Sequence, residues 1–201
     1  MKNNILKLLT VFLFFVIIFI TYFSTIGIET DRFNNQIKNK VVQINKNLDL
    51  DLKKIKFTLD PLNLKIYAKT VGSTIFYAKK PLALEYIRTQ VSLSSLIKEK
   101  IISSNFQVAT KSLLFKDLIK FIRATNSKTE LIILEKIVKK GHIILDLNFN
   151  IDDNGAIKND YEIKGLIKDV NINLLNQAKF KNINFNFNLT KDQYLLNNIK
   201  F

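Results

Sequence analysis

The chain has 201 residues, a net charge of +14, one histidine, five glycines and no cysteine. The absence of cysteine excludes disulfides, thiol chemistry and every zinc site built on cysteine. The few glycines leave little material for a phosphate-binding loop, and no GxxxxGKS/T, GxGxxG, GxSxG or HExxH motif occurs. We therefore expect a protein that is not an enzyme, with no cofactor and no metal site.

An uncharged stretch from Leu8 to Ile28 lies near the amino terminus. At ~1.5 Å per residue, a helix of this length crosses the ~30 Å hydrocarbon core of a bilayer. The stretch is too long for the apolar region of a secretory signal peptide, and Thr25-Ile26-Gly27 matches the small-residue cleavage pattern poorly. The sequence therefore predicts a retained transmembrane anchor in residues 1–29.

The orientation of this anchor is predicted from the charges beside it. Basic residues on its two sides are almost balanced, with Lys2 and Lys7 before it and Arg32, Lys38 and Lys40 after it. An amino-terminal anchor preceded by lysines usually keeps its short end in the cytoplasm, and a long domain is translocated largely regardless of charge. We expect a single-pass protein with a cytoplasmic amino terminus and its bulk outside the cytoplasm.

The first hundred residues after the anchor predict a helix followed by short strands. Five apolar residues form one helical stripe, namely Phe33, Ile37, Val41, Ile44 and Leu48. Alternating apolar residues then predict strands at 48–52, 55–59 and 62–68, with a bulge at Lys53-Lys54 and a turn at Asp60-Pro61. The later elements are strands at 73–78, 82–93 and 101–110, a helical turn at 94–97 and a helix at 111–124.

The remainder of the chain predicts antiparallel strands. Residues 131–141 fit a helix or a strand, and this alternative stays open. Strict alternation predicts strands at 143–151, 161–165, 170–174 and 183–189, with another from Tyr194. The turn at 152–155 partly matches a calcium loop, but its twelfth position is Tyr161 instead of Glu, so a hairpin turn is favoured. One face of these strands is apolar and needs a cover.

The isolated charged residues favour surface roles. Lysines are spread singly through the chain, which indicates solvated positions first and attraction to an anionic membrane surface second. We expect no nucleic-acid partner. His142 has no recognisable catalytic partner motif, and we interpret it as a surface residue at a strand end.

The order of these features resembles the start of AsmA-like proteins. The resemblance is carried by the uncleaved anchor, the amphipathic stretch Arg32 to Leu48 and the strand pattern Leu50 to Ala68. It continues in the segment Pro81 to Ile97, with Ile101-Ile102 after it. Farther along, Tyr161 to Ile172 and Ile183 to Leu189 are similar to strand repeats of the larger YhdP and TamB-type members.

This resemblance implies an α+β fold that is mainly antiparallel β. The amphipathic helix would be followed by a curved β-meander that forms an open groove. Residues 30–125 would form a chorein-like region, and residues 126–201 would begin the repeating β-groove. The chain would then be the amino-terminal part of a longer protein.

The function implied by the resemblance is bridge-like lipid transfer between the inner and outer membranes of a bacterium. The anchor would lie in the inner membrane and the bulk in the periplasm, with membrane phospholipid as the main partner and other envelope proteins as further candidates. Acyl chains would contact inward-facing strand residues, for which the candidates are Phe57, Leu59, Leu64, Ile66, Leu145, Leu147, Phe149, Ile172, Phe185 and Phe187.

Two alternatives stay open at this point. Alternating apolar residues also form ordinary filled cores, and the pattern alone does not separate the two. The alternative function is a membrane-anchored envelope assembly or scaffold protein that binds a polypeptide partner on the same sheet face.

Overall fold

The computed structural model describes residues 2–93, 104–126, 128–152, 157–174 and 178–200. The elements follow in this order: α1 (Lys2–Thr25), β1 (Ile28–Thr30), α2 (Asn34–Ile44), β2 (Leu48–Asp51), β3 (Ile55–Asp60), β4 (Lys65–Val71), β5 (Thr74–Tyr77), β6 (Lys80–Ser92), β7 (Ser104–Thr110), β8 (Leu113–Leu114), α3 (Phe115–Thr125), α4 (Thr129–Ile137), β9 (Val138–Ile151), β10 (Glu162–Leu174), β11 (Ala178–Thr190) and β12 (Tyr194–Lys200).

The strands form one open antiparallel sheet. Its main path runs β1-β3-β4-β6-β7-β9-β10-β11-β12, and β1 and β12 lie at its two ends. The long strands β6 and β9 each pair with additional short strands, because β5 joins β2 to the first part of β6 and β8 joins the first part of β9. One sheet includes strands from both predicted regions, because β7 of region 30–125 pairs with β9 of region 126–201, and β9 also pairs with β10.

The prediction of a long apolar helix at the amino terminus is confirmed. Residues Asn4–Thr25 of α1 form a helix that is long and apolar enough to cross a membrane, with a mean hydropathy of 2.6. The apolar run extends to Ile28, but the helix ends at Thr25 because Gly27 takes a φ of +75° and turns the chain. Ile28 instead begins β1, where it pairs with Phe57 of β3.

Three boundaries in the first half differ from the prediction. The stripe predicted to reach Leu48 ends as a helix at Ile44, since Asn45 is extended. Lys53-Lys54 is not a bulge, because β2 pairs with β5 whereas β3 pairs with β1 and β4, so residues 52–54 connect strands with different partners. The strand predicted from Leu62 begins at Lys65, because residues 61–64 form a turn.

The second half follows the predicted alternation closely, but the helix predicted at 111–124 begins at Phe115, after the short strand β8. The open segment 131–141 is divided, since α4 ends at Ile137 and β9 begins at Val138. The segments predicted at 161–165 and 170–174 belong to the single strand β10, which is irregular near Asp169, where φ is +53°. The predicted helical turn at 94–97 and most of the turn at 152–155 lie outside the described residues.

A compact core lies where α3 and α4 pack on β9 and β10. Its members are largely β-branched and leucine side chains, namely Leu118, Ile119, Val138, Ile143, Ile167, Val170 and Ile183. The helix α3 places Leu118 and Ile119 against the sheet and leaves Ile122 partly exposed. The helices therefore close one part of the apolar sheet face.

Gly141 in β9 is a position where only glycine fits. It has a φ of +137°, and a Cβ there would overlap the backbone and side chain of Val170. We expect Gly141→Ala to lower the free energy of unfolding by about 1 to 3 kcal/mol through backbone strain and by a further ~1 to 3 kcal/mol through overpacking. Denaturant unfolding of the full chain in detergent measures the loss.

The matched control is Gly72→Ala, because Gly72 has a φ of +70° and no atom within 4 Å of the position of an added Cβ. Gly72→Ala therefore introduces the backbone strain of a positive φ but no overlap between the added Cβ and a neighbouring residue. Equal losses in the two variants would contradict the close approach at Gly141.

Candidate functional site

The pairing register divides the sheet into two faces. Directly paired residues of antiparallel strands point to the same side, so the register traces each face from strand to strand. We call one side the apolar face. Its apolar residues include Ile28, Ile55, Phe57, Leu59, Ile66, Ala68, Ile87, Val91, Phe106, Val108, Ile143, Leu145, Leu147, Phe149, Ile163, Ile167, Ile172, Ile183, Phe185, Phe187, Leu189, Tyr194 and Leu196. Thr70 and Thr89 also lie on this side.

The opposite side of the same strands is mainly polar, although Val71, Ile144 and Leu166 also lie on it. The guanidinium of Arg88 lies 5.5 Å from the centre of the Tyr67 ring, and the Asn105 side-chain amide donates hydrogen bonds to the side-chain oxygens of Asn148 and Asn150. Near one end, hydrogen bonds from Lys164 and from the Asn188 amide lower the pKa of the Glu162 carboxyl. This face is suited to water, which leaves the apolar face as the side that needs a cover.

Helices cover the apolar face only in part. The core beneath α3 and α4 fills one end, and the rings of Tyr77 and Phe121 meet there at 6.4 Å. Near α2, the Phe33 ring lies 5.8 Å from the Phe57 ring. Among the described residues, no helix packs closely on β4 or β7. The central strands therefore present apolar side chains that these helices do not shield.

We call this central part the open section. Its side chains are half-buried by their neighbours within the sheet, and they are Ile66, Val91, Phe106, Val108, Leu147 and Phe149. The Phe106 and Phe149 rings pair across β7 and β9 and stack at 5.6 Å with an interplanar angle of 10°. The open section is thus an ordered apolar surface in the middle of the sheet.

The predicted lining residues separate into three groups. Phe57, Leu59, Ile66, Leu147 and Phe149 lie on the apolar face away from the core under α3 and α4. Four others pack against that core, namely Leu145, Ile172, Phe185 and Phe187. Only one, Leu64, is not on the strand face at all.

Leu64 requires a correction. The alternation placed it in a strand, but it lies in the turn before β4 with a φ of +50° and is 61% exposed. Its side chain is therefore not aligned with the residues of the apolar face.

Val91, Phe106 and Val108 were not among the predicted lining residues. Val91 and Phe106 each lie between polar neighbours, and Val108 follows Phe106 at strand spacing, which was a usable signal. Their place opposite Ile66, Phe149 and Leu147 depends on the pairing register. That register depends on contacts between distant segments and is not readable from local spacing.

Polar groups form no comparable site in the described part of the chain. His142 is exposed in β9, where its backbone pairs with Leu114 and Lys168. Within the described ranges, no three acidic or histidine side chains cluster in a way that would hold a metal ion. The buried hydroxyls of Thr70 and Ser73 bond to each other at 3.1 Å. The apolar face is therefore the candidate functional site.

Comparison with known proteins finds no match among family models, curated proteins or solved structures. The structural features that bear on a function are therefore the anchor helix and the apolar face of this chain.

Proposed function

We propose that this chain is a membrane-anchored, non-enzymatic protein that binds phospholipid acyl chains on the apolar face and passes them between the inner and outer membranes of a bacterial envelope. The observation that supports the proposal is the continuity of the apolar face through nine successive strands, from β1 beside the anchor to β12. The proposal includes a single-pass anchor in the inner membrane and the sheet in the periplasm. It also includes curvature of the sheet into a groove, as the resemblance to AsmA-like proteins implies.

The dimensions of the face suit an acyl chain. Neighbouring strands are ~4.8 Å apart, so eight intervals span about 38 Å along the sheet, more than the ~30 Å hydrocarbon core of a bilayer. Each methylene removed from water contributes ~0.8 kcal/mol, which favours contact between an acyl chain and the open section. The polar face would stay in water during this contact.

The position of the anchor supports a path from the bilayer to the sheet. Gly27 lies against the Phe57 carbonyl and the Thr58 side chain, so the end of α1 meets β3 directly. The core under α3 and α4 occupies the other end of the long strands, where β8 pairs with the beginning of β9. The unshielded ends of the long strands are therefore on the anchor side of the sheet.

A second candidate function is an envelope assembly or scaffold protein that binds a polypeptide partner. The edge strand β12 favours it, because all residues of Tyr194–Lys200 are exposed and β12 pairs only with β11 among the described strands. An unpaired edge can accept a strand from another chain.

Site-specific photocrosslinking in bacterial inner membranes tests these proposals. A benzophenone amino acid replaces Phe149 on the apolar face, and the matched control replaces Asn148, its neighbour on the polar face. We expect phospholipid adducts, identified by mass spectrometry, at position 149 and few at 148. Equal yields at both positions would contradict the lipid proposal. A polypeptide adduct at 149, or at Leu195 of β12, would favour the scaffold.

A further inference from the structure

The turn of residues 61–64, which joins β3 to β4, exposes two leucines. Leu62 is 93% exposed and Leu64 is 61% exposed. No other large apolar side chain in the described part of the chain is as exposed as Leu62, including those of α1. Removing a fully exposed leucine side chain from water is favourable, so both side chains would gain from an apolar cover.

The turn is held in one shape by hydrogen bonds. The Asp60 carboxylate accepts bonds from the Asn63 backbone N–H at 3.0 Å and from Asn63 Nδ2 at 2.8 Å. These bonds lower the pKa of the Asp60 carboxyl. On the other side, the Leu64 carbonyl accepts a bond from the Leu93 N–H at 2.8 Å. The leucines are therefore presented by an ordered backbone.

The register of β1 and β3 places the turn at the anchor end of the sheet. β1 leads away from α1, and its pairs Ile28 with Phe57 and Thr30 with Ile55 show that β3 runs back toward α1. Beyond Phe57, β3 continues to Asp60, which is about 10 Å at ~3.3 Å per residue. The turn thus extends past the end of β1, on the side where α1 begins its contact with the sheet.

The anchor helix itself shows contact on this side. α1 contacts β3, and one stripe of its last turns, comprising Ile20, Phe23 and Ser24, is half-buried. The rest of this helix is largely exposed, as a bilayer-embedded surface would be. β3 therefore lies beside the terminal part of α1, and the turn continues directly from the end of β3 on that side.

We propose that the turn 61–64 is a second membrane contact, in which Leu62 and Leu64 insert into the outer leaflet of the bilayer that holds α1. This inference rests on the proposed anchoring of α1 in a membrane. Lys65 follows the turn directly and is placed to reach lipid phosphates while its methylenes stay in the interface. Two attachment points fix the tilt of the sheet, and they bring the β3 and β4 end of the apolar face to the leaflet from which acyl chains would leave.

Fluorescence quenching in vesicles tests this contact. The chain has no cysteine, so single-cysteine variants can be labelled without altering native thiols. Leu62→Cys and Leu64→Cys are labelled with an environment-sensitive nitrobenzoxadiazole dye in full-length protein reconstituted with phosphatidylethanolamine and phosphatidylglycerol. Phe19→Cys reports on the anchor. Leu114→Cys is the matched control, a leucine that is 51% exposed at the opposite end of the long strands.

We expect labels at positions 62 and 64 to show blue-shifted emission and strong quenching by spin-labelled lipids, with a shallower depth than at position 19. The label at 114 should show neither effect. Quenching at 19 together with water-like emission at 62 and 64 would overturn the proposed contact and leave the anchor intact. Water-like emission at position 19 would overturn the anchor itself. Circular dichroism confirms folding of each variant.

Discussion

Replacing both Val108 and Leu147 by aspartate is expected to reduce the phospholipid adduct at a photoreactive residue in position 149 by roughly tenfold to a hundredfold. The two residues pair directly across β7 and β9 in the middle of the open section. Moving even an uncharged polar group from water to an apolar environment without a hydrogen bond costs about 1 to 3 kcal/mol, and a carboxylate costs more. A free-energy cost of ~1.4 kcal/mol corresponds to a tenfold loss of affinity.

The matched control is the double variant with aspartate at Gln107 and Asn148. These residues form the neighbouring cross-strand pair on the polar face, so the strands, the register and the added charge are the same. We expect its adduct yield at position 149 to match that of the unmodified chain. Equal losses in both double variants, at equal thermal stability, would contradict lipid binding on the apolar face.

Most residues of the apolar face could be predicted from the sequence. Which of them α3 and α4 would cover could not. Alternation is local, so the spacing of Leu145, Leu147 and Phe149 predicted their shared side correctly. The cover over Phe185 and Phe187 comes from α3 and α4, which lie more than 40 residues earlier in the chain. No local sequence pattern predicts that packing. For this reason the sequence could not separate residues of a filled core from residues that line an open groove.

The errors in the first half have a similar origin. The one-residue shift of alternation at Lys53-Lys54 is equally consistent with a bulge within one strand and with a connection between two strands. Only the pairing partners distinguish the two, and β2 and β3 have different partners. At Leu64 the apolar spacing continued, but the bonds from Asn63 to Asp60 close a turn and prevail over the alternation.

Ile119→Ala in α3 is expected to lower the free energy of unfolding by about 2 to 5 kcal/mol, because the removed methylenes leave a cavity in a packed site. Ile119 is 2% exposed, whereas Ile122 on the same helix is 37% exposed, so Ile122→Ala is the matched control with a smaller loss. Denaturant unfolding of the full-length chain in detergent, followed by circular dichroism, measures both. Similar losses in the two variants would contradict the placement of Ile119 in the core.

Ile119→Ala also tests whether α3 and α4 only cover a filled core or whether lipid passes beneath them. An ion pair between Arg123 and Glu135 also links α3 to α4, so the helices act as a unit over the core. If this end of the face is filled, folded Ile119→Ala protein keeps its phospholipid adduct at position 149, because the open section lies outside the core. If lipid passes beneath the helices, the loosened cover changes the adduct yield while the sheet stays folded. In that case Phe185 and Phe187 would line the path, and the helices would be a movable lid over it.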